Sequence, residues 1–357
     1  MKINRIALCA LSLFALAGCS GEKNSSIMTE FSPQQEVALV KAKQAILDLD
    51  IDALATITSI IDVNHPLPDK STLLAWAVET QTPELVELLL SKGADTNANT
   101  GNPFTPIIQA CRYGNPSIIS TLLDHSANPM DAIEDGTTAF QLCAGSTTPE
   151  LLLRMVSLGA QVSSQNQYGQ TALMWAANSG KPENVRLLVN QGANINHKTL
   201  EGYSPLFFAI KSHHLDTVQE AVESGADLLA TADDGTTAAQ LGVYTKNYPF
   251  LVWFASELTN LLPTDAVNDV LTQTDRDGNQ LLHAAVTANQ LALVEALLDA
   301  GANPTTISEP STLTWRYEAN FKMEDYIPPQ QTPIEIAEKN NFNEILCVLE
   351  QALKGKA

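Results

Sequence analysis

Cysteines, histidines and paired acids are the residues through which this chain could do chemistry, and they are sparse. The sequence has no Gly-x-Ser-x-Gly elbow, no phosphate-cradling glycine loop and no His-Glu-x-x-His zinc helix. Six histidines are scattered along it. His213 and His214 share a turn between helices, with no partner residues to complete a metal site. Asp275-Arg276-Asp277-Gly278-Asn279 hints at a calcium loop, but its glycine falls two places early and no glutamate closes it. A hairpin turn is the expectation there. No catalytic residue, metal ligand or cofactor is expected.

The one cysteine with a clear chemical signature is Cys19. It follows Leu16-Ala17-Gly18, which closes a short apolar run from Ile6 preceded by Lys2 and Arg5. A basic start, an apolar stretch and small residues before a cut make the pattern of a secretory signal. The run is too short for the ~20 residues of a spanning helix. Leu-Ala-Gly-Cys resembles the lipobox of bacterial lipoproteins. That resemblance implies cleavage before Cys19, acylation of that residue, and a fold outside the cytoplasm. Position 20 is Ser rather than Asp, and the resemblance then implies the periplasmic face of the outer membrane of a Gram-negative bacterium. Residues 1–18 are thus expected to be removed, and 19–32 to be a lipidated flexible tether.

Charge narrows the partners. The chain carries a net −20, and losing Lys2 and Arg5 takes it near −22. So acidic a surface repels nucleic acid and anionic head groups. It attracts a basic protein and speeds encounter with it.

The elements that position these residues recur at a fixed period. Gly93, Ser126, Gly159, Gly192 and Gly225 are each 33 apart, and so are Gly136, Gly169, Gly202 and Gly235. Thr72, Thr105, Thr138, Thr171, Ser204 and Thr237 keep the same step. Such self-similarity marks a repeat architecture. Each unit reads as a short helix opened by a hydroxyl cap, a turn, and a second helix with Pro and Glu in its first turn. A glycine then ends that helix, and an extended excursion leads to the turn glycine. Leu85, Val86, Leu88 and Leu89, like Leu293, Val294, Leu297 and Leu298, form an apolar stripe that one unit cannot bury alone.

Thr105-Pro106-Ile107-Ile108-Gln109-Ala110, Ser204-Pro205-Leu206-Phe207-Phe208-Ala209 and Thr332-Pro333-Ile334-Glu335-Ile336-Ala337 are one recurring motif. Gly93-Ala94-Asp95, Gly192-Ala193-Asn194, Gly225-Ala226-Asp227 and Gly301-Ala302-Asn303 are the second. Together they resemble the ankyrin repeat, marked by Thr-Pro-Leu-His-x-Ala and Gly-Ala-Asp/Asn. The resemblance implies an all-α solenoid of helix-turn-helix pairs with β-hairpin fingers. It covers 33–354, as about eight repeats after a degenerate helical cap at 34–61. His283 takes the family's His position and is expected to be structural. Trp76 and Trp175 take the "x" position, which in the family packs inside the stack, so both are expected in the core. Cys111 and Cys143 fall in apolar helical patterns and read as core thiols. A bridge between them would join near-equivalent positions of neighbouring repeats, and their separation is expected to exceed the ~7 Å limit for Cα atoms.

Two departures break the period. Gly235 to Gly278 is 43, ten more than the period, an insertion near 244–270 placed in the aromatic stretch Tyr248 to Phe254. A second insertion, 304–331, lengthens one finger by nineteen residues and holds Trp315, Tyr317, Phe321 and Tyr326. Either binds a partner or folds back over the stack.

The family's variable positions line the concave face. Here they are Phe104, Arg112, Tyr113, Glu134, Asp135, Tyr168, Tyr203, Lys211, Asp233, Asp234, Tyr244, Arg276 and Asp277, to which the insertion adds Trp315 and Tyr317. Tyr and Arg are frequent anchors of protein interfaces. A protein partner with a basic or amphipathic patch is expected. Similar ankyrin lipoproteins serve as immunity proteins against lipase effectors of type VI secretion. The resemblance thus implies binding of a secreted lipase, with membrane attachment through lipid. A housekeeping scaffold for envelope or stress proteins is the alternative, and an enzyme with an insertion as lid the second.

Overall fold

A computed structural model describes residues 33–98, 104–311, 316–317, 323–324 and 329–354. Cys19, the tether and Trp315 lie outside the described residues. The expected all-α solenoid is what forms. Helices α1 (Pro33–Leu47) and α2 (Ile51–Ile57) make the amino-terminal cap. Five regular pairs follow: α3 (Leu73–Glu79) and α4 (Pro83–Ser91), α5 (Pro106–Tyr113) and α6 (Pro116–Asp124), α7 (Ala139–Ser146) and α8 (Pro149–Ser157), α9 (Ala172–Asn178) and α10 (Pro182–Asn190), α11 (Pro205–Ser212) and α12 (Leu215–Glu223). Then come α13 (Ala238–Thr245) with α14 (Tyr248–Leu261), a lone α15 (Thr264–Thr272), α16 (Leu281–Thr287) with α17 (Leu291–Asp299), and α18 (Pro333–Asn340) with α19 (Asn343–Lys354). Two-residue strands β1 (Arg316–Tyr317) and β2 (Met323–Glu324) pair antiparallel in the long insertion. The described backbone places Tyr317 in β1. Among the described residues no helix is long and apolar enough to cross a membrane.

Local chemistry sets each unit. Proline opens α4, α5, α6, α8, α10, α11, α14 and α18 at the first turn, where its missing N–H costs nothing. In the five regular pairs and in α16–α17, the second helix ends on a positive-φ residue. Gly93 has φ 87°, and Ser126 takes the same role at 64°. The following Ala then closes the helix, as Ala94 N–H does on Leu89 O at 3.0 Å and Ala127 N–H on Leu122 O at 3.0 Å. Leu85, Val86, Leu89, Leu293, Val294 and Leu297 are fully buried, while Leu88 and Leu298 are half-buried at the margin. Each fully buried side chain contributes about 1.5–3 kcal/mol.

The first insertion is not where the aromatic run suggested. Tyr248 to Phe254 forms α14 itself, with Phe250, Leu251 and Phe254 in the core and the Phe250 and Phe254 rings stacked at 5.5 Å. A Cβ on Gly242 of α13 would lie 2.7 Å from Leu251, which is why the inner helix carries glycine there. The added length is the last turns of α14 and α15.

The cysteine expectation is also corrected. Cys111 and Cys143 form a disulfide, with Cα atoms 4.4 Å apart. They are not equivalent positions. Counted from the caps Thr105 and Thr138, one is sixth and the other fifth, so they face each other across α5 and α7. Small residues permit the approach. A Cβ on Gly114 would sit 2.6 Å from Ser146 O, and the Ser146 hydroxyl donates to Cys111 O.

Candidate concave groove

The first helix of each pair lines one face of the stack, and the fingers extend that face. Adjacent fingertips are joined through their backbones. Gln167 N–H donates to Asp135 O at 2.9 Å, Leu200 N–H to Tyr168 O at 3.1 Å, and Asp233 N–H to Glu201 O at 3.1 Å. This belt fixes Asp135, Tyr168, Glu201 and Asp233 relative to one another. It needs glycine at Gly202, where φ is 82° and a Cβ would lie 2.5 Å from Asp233 Oδ1. Beyond Asp233, α15 intervenes, and contact resumes where Glu309 N–H reaches Gly278 O at 2.8 Å.

Between belt and helices runs a groove of three confluent hollows. The first, about 510 Å³, is lined by Phe104, Arg112, Ile133, Leu142 and Trp175. Trp175 is shared with the second, about 170 Å³, which adds Gln170, Phe208 and Lys211. The third, about 320 Å³, shares those three and adds Glu201, Tyr203 and Leu241. The groove thus spans the repeats from α5 to α13.

Its floor comes from one register position. Four residues after each cap stand Trp76, Gln109, Leu142, Trp175, Phe208, Leu241 and Ala284, all half-buried. The core assignment of Trp76 and Trp175 is therefore corrected. The first residues of the helix fill the core, and this position turns out to the concave side. Trp76 Nε1 donates to Ser71 Oγ at 2.7 Å, and Lys43 Nζ lies 3.7 Å over its ring. Trp175 Nε1 is shielded from solvent and has no hydrogen-bond partner. The repeated large residues at 33-residue spacing were the signal for this floor.

The expected contact residues divide into groups. Phe104 and Arg112 meet at the first hollow, with the guanidinium 5.5 Å over the ring. Tyr203 and Lys211 share the third, where the Tyr203 and Phe207 rings sit 5.8 Å apart. Burial raises the Tyr203 hydroxyl above its ordinary pKa, helped by Asp234 and Glu201. Tyr168 projects from the belt, 53% exposed. Glu134 and Asp233 are exposed fingertip acids. Asp135 Oδ1 accepts from Thr137 N–H at 2.8 Å, and Asp234 Oδ1 from Thr236 N–H at 2.9 Å. That backbone bond holds the Asp234 carboxyl below its ordinary pKa. Four lie apart from the groove. Tyr113 turns toward the preceding repeat and donates to Glu79 Oε1 at 2.6 Å, which raises its pKa. Tyr244 pairs with Arg276 at 5.5 Å. Asp277 sits beside them in the Asp275 turn, where Asp275 Oδ1 accepts from Asp277 N–H and Asn279 N–H at 2.9 Å each. The expected hairpin turn is present at 275–279.

Residues that hold the groove in shape were missed. Gln141 accepts from Thr138 N–H at 2.8 Å and donates to Ser164 O and Gln170 O at 3.0 Å each, tying α7 to the next finger. Gln240 does the same toward Thr274 O at 3.1 Å. His283, expected to be structural, performs this task with its Nε2–H, on Thr306 O at 3.0 Å and Gln331 O at 3.1 Å. Burial holds its pKa below the ordinary value, and the two carbonyls offset that in part. The Thr-x-x-Gln capping box was the available signal. Asparagines at the same 33-residue step clamp the loops on the far side. Asn64 reaches Gly93 O and Asp95 N–H, Asn97 reaches Ser126 O and Asn128 N–H, and Asn196 reaches Gly225 O and Asp227 N–H, all within 3.0 Å.

Known proteins agree with this architecture. A profile of three ankyrin repeats matches in overlapping copies at 50–133, 74–166 and 140–232, and a single-repeat profile matches 277–308. A putative ankyrin repeat protein of Acanthamoeba polyphaga mimivirus is 37% identical over 82 residues, 22% of this chain and 51% of that protein. The mouse B-cell lymphoma 3 protein homolog is 30% identical over 108 residues, 29% of this chain and 24% of that one. An ankyrin repeat and LEM domain-containing protein 1 homolog of Caenorhabditis elegans is 35% identical over 82 residues, 22% of this chain and 12% of that one. The matches thus span about half or less of these relatives. Among solved structures, the Bcl-3 ankyrin repeat domain superposes with a TM-score of 0.45 at 24% identity, covering 56% of this chain and 92% of that one. The human ASB11 ankyrin repeat domain gives 0.49 at 21%, covering 56% and 90%. With the period, the fold and the family profile in agreement, this chain belongs to the ankyrin-repeat family.

Proposed function

We propose that this protein is a lipid-anchored binding module outside the cytoplasm, holding another protein in its concave groove. Family membership implies a protein-binding module, and ankyrin repeat proteins are in general non-enzymatic scaffolds. The observation that carries the reading is the groove. A floor of Leu142, Trp175, Phe208 and Leu241 stays half-exposed across consecutive repeats, at the cost of leaving apolar surface wet. Such rows of aromatic and aliphatic side chains are what interface anchors fill.

The compartment has support of its own. Disulfides persist in oxidising environments and are rare in the cytosol, and Cys111–Cys143 is such a bridge. This agrees with a signal sequence that ends just before Cys19. Incorporation of labelled palmitate into the wild type and its loss in Cys19→Ser test the anchor. Recovery of Cys19→Ser in the membrane fraction with label intact would overturn it.

Within this class we propose an immunity protein that neutralises a secreted effector such as a type VI lipase. The support is the resemblance in sequence, and an acidic module tethered where such a toxin meets its lipid substrate. Expression should protect cells from the cognate lipase delivered to the periplasm. Equal killing with and without the protein would leave the scaffold reading in its place.

A further inference from the structure

The groove has two edges of opposite charge. Take the first helices from α5 to α13 with the turns that follow them. Their charged residues are Arg112, Lys181, Lys211 and Lys246, with no acid among them. In a chain with 40 acids and 20 bases this is a marked sorting. Across the groove, the fingertips between 131 and 235 carry Asp131, Glu134, Asp135, Glu201, Asp233 and Asp234 against the single base Lys198. The two edges face one another directly in the third hollow, where Glu201 and Lys211 line the same space over Tyr203 and Phe208. In the first hollow Arg112 stands on the helix side.

Local physics accounts for the single positions. Cations suit helix C-terminal ends, where α5 and α11 place Arg112 and Lys211. Acids suit fingertip turns, where Asp135 and Asp234 accept backbone N–H groups. Their sum over five stacked repeats is nonetheless a field directed across the groove. Whole charges at each edge exceed the half-charges of the helix ends they accompany. The third hollow lies between them with an apolar floor, so a bound segment displaces water from between opposed charges.

We infer that the groove selects a protein segment with transverse charge polarity: an apolar ridge, a basic edge toward the fingers and an acidic edge toward the helix turns. This rests on the protein-binding reading above and specifies the partner's chemistry. It narrows the expectation of a basic or amphipathic patch. A uniformly basic segment gains at the fingers and loses at Arg112 and Lys211. A bipolar one gains at both, and its direction along the groove is fixed.

Three fluorescein-labelled helical peptides test this on the purified full chain. All share one apolar ridge. One has lysine along one flank and glutamate along the other, one has lysine on both, and one has glutamate on both. Anisotropy at low salt should rank the bipolar peptide first by about fivefold or more, with the margin closing in about 0.5 M salt. The variant Arg112→Glu with Lys211→Glu, its unfolding curve matching wild type, should bring the all-lysine peptide to first place. An all-lysine peptide ranking first on the wild type would overturn the polarity. Equal ranking, with groove amides still protected from hydrogen exchange, would overturn the polarity and leave the groove reading standing. No protection of groove amides by any peptide would overturn both.

Discussion

Breaking the Cys111–Cys143 bridge should weaken one inter-repeat junction far more than its neighbours. The asparagine clamps explain why. Positions 64, 97, 130, 163 and 196 share one register, and Asn occupies 64, 97 and 196. At 130 stands Met, whose sulfur accepts Gln161 N–H at 3.4 Å, a weak substitute for two amide bonds. That junction, between the α5–α6 and α7–α8 pairs, is the one the disulfide spans. The bridge closes a 32-residue separation, which chain entropy converts to about 3.7 kcal/mol. The lost clamp amounts to about 1–2 kcal/mol. The double variant Cys111→Ala, Cys143→Ala should therefore lose about 3–4 kcal/mol in urea unfolding. Hydrogen exchange should speed first in α5 to α8. Adding Met130→Asn should restore about 1 kcal/mol. Thiol labelling of the denatured wild type should find Cys347 free while Cys111 and Cys143 stay unreactive. A loss below about 1 kcal/mol, or an unchanged stability on adding Met130→Asn, would refute the reasoning.

Other consequences are more local. Gln141→Ala removes one buried and two half-buried hydrogen bonds and should cost about 2–3 kcal/mol in denaturant unfolding, with Gln141→His recovering part of it. Neutral His283 is favoured by burial in the folded state, so the unfolded chain binds the proton more readily. Stability should fall as pH drops below about 6.5, and His283→Gln should flatten that slope in pH-dependent melting. Gly202→Ala forces a side chain into positive φ and against Asp233. It should cost about 1–3 kcal/mol and expose the Asp233 amide to exchange.

How much could be read from the sequence differs by residue. The 33-residue glycine and hydroxyl spacings are obligations of backbone geometry, so Gly93, Gly202 and Thr138 announced the helix pairs directly. The groove floor was harder. Trp175 and Phe208 look like core residues by type, and only their register four places after the cap turns them outward. For Cys111 and Cys143 the spacing misleads: near-equivalent positions of neighbouring repeats are expected to stand too far apart to bridge, whereas neighbouring inner helices meet one residue out of step and bring these two within 4.4 Å. The aromatic run Tyr248 to Phe254 breaks the usual pattern and so reads as inserted sequence. Its rings in fact fill the core of a longer helix, and the extra segment is the unremarkable α15. Charge sorting across the groove is invisible in the net charge, because it depends on which edge each turn faces.

The central claim is that the concave groove, and not the outer helices, receives the partner. A photo-crosslinking residue placed in living cells at Trp175 or Phe208, and separately at Glu87 or Glu295 on the outer helices, tests it most directly. One discrete protein adduct from the groove positions and none from the outer ones is the predicted result. Adducts from Glu87 or Glu295 alone, with the groove positions silent, would contradict it.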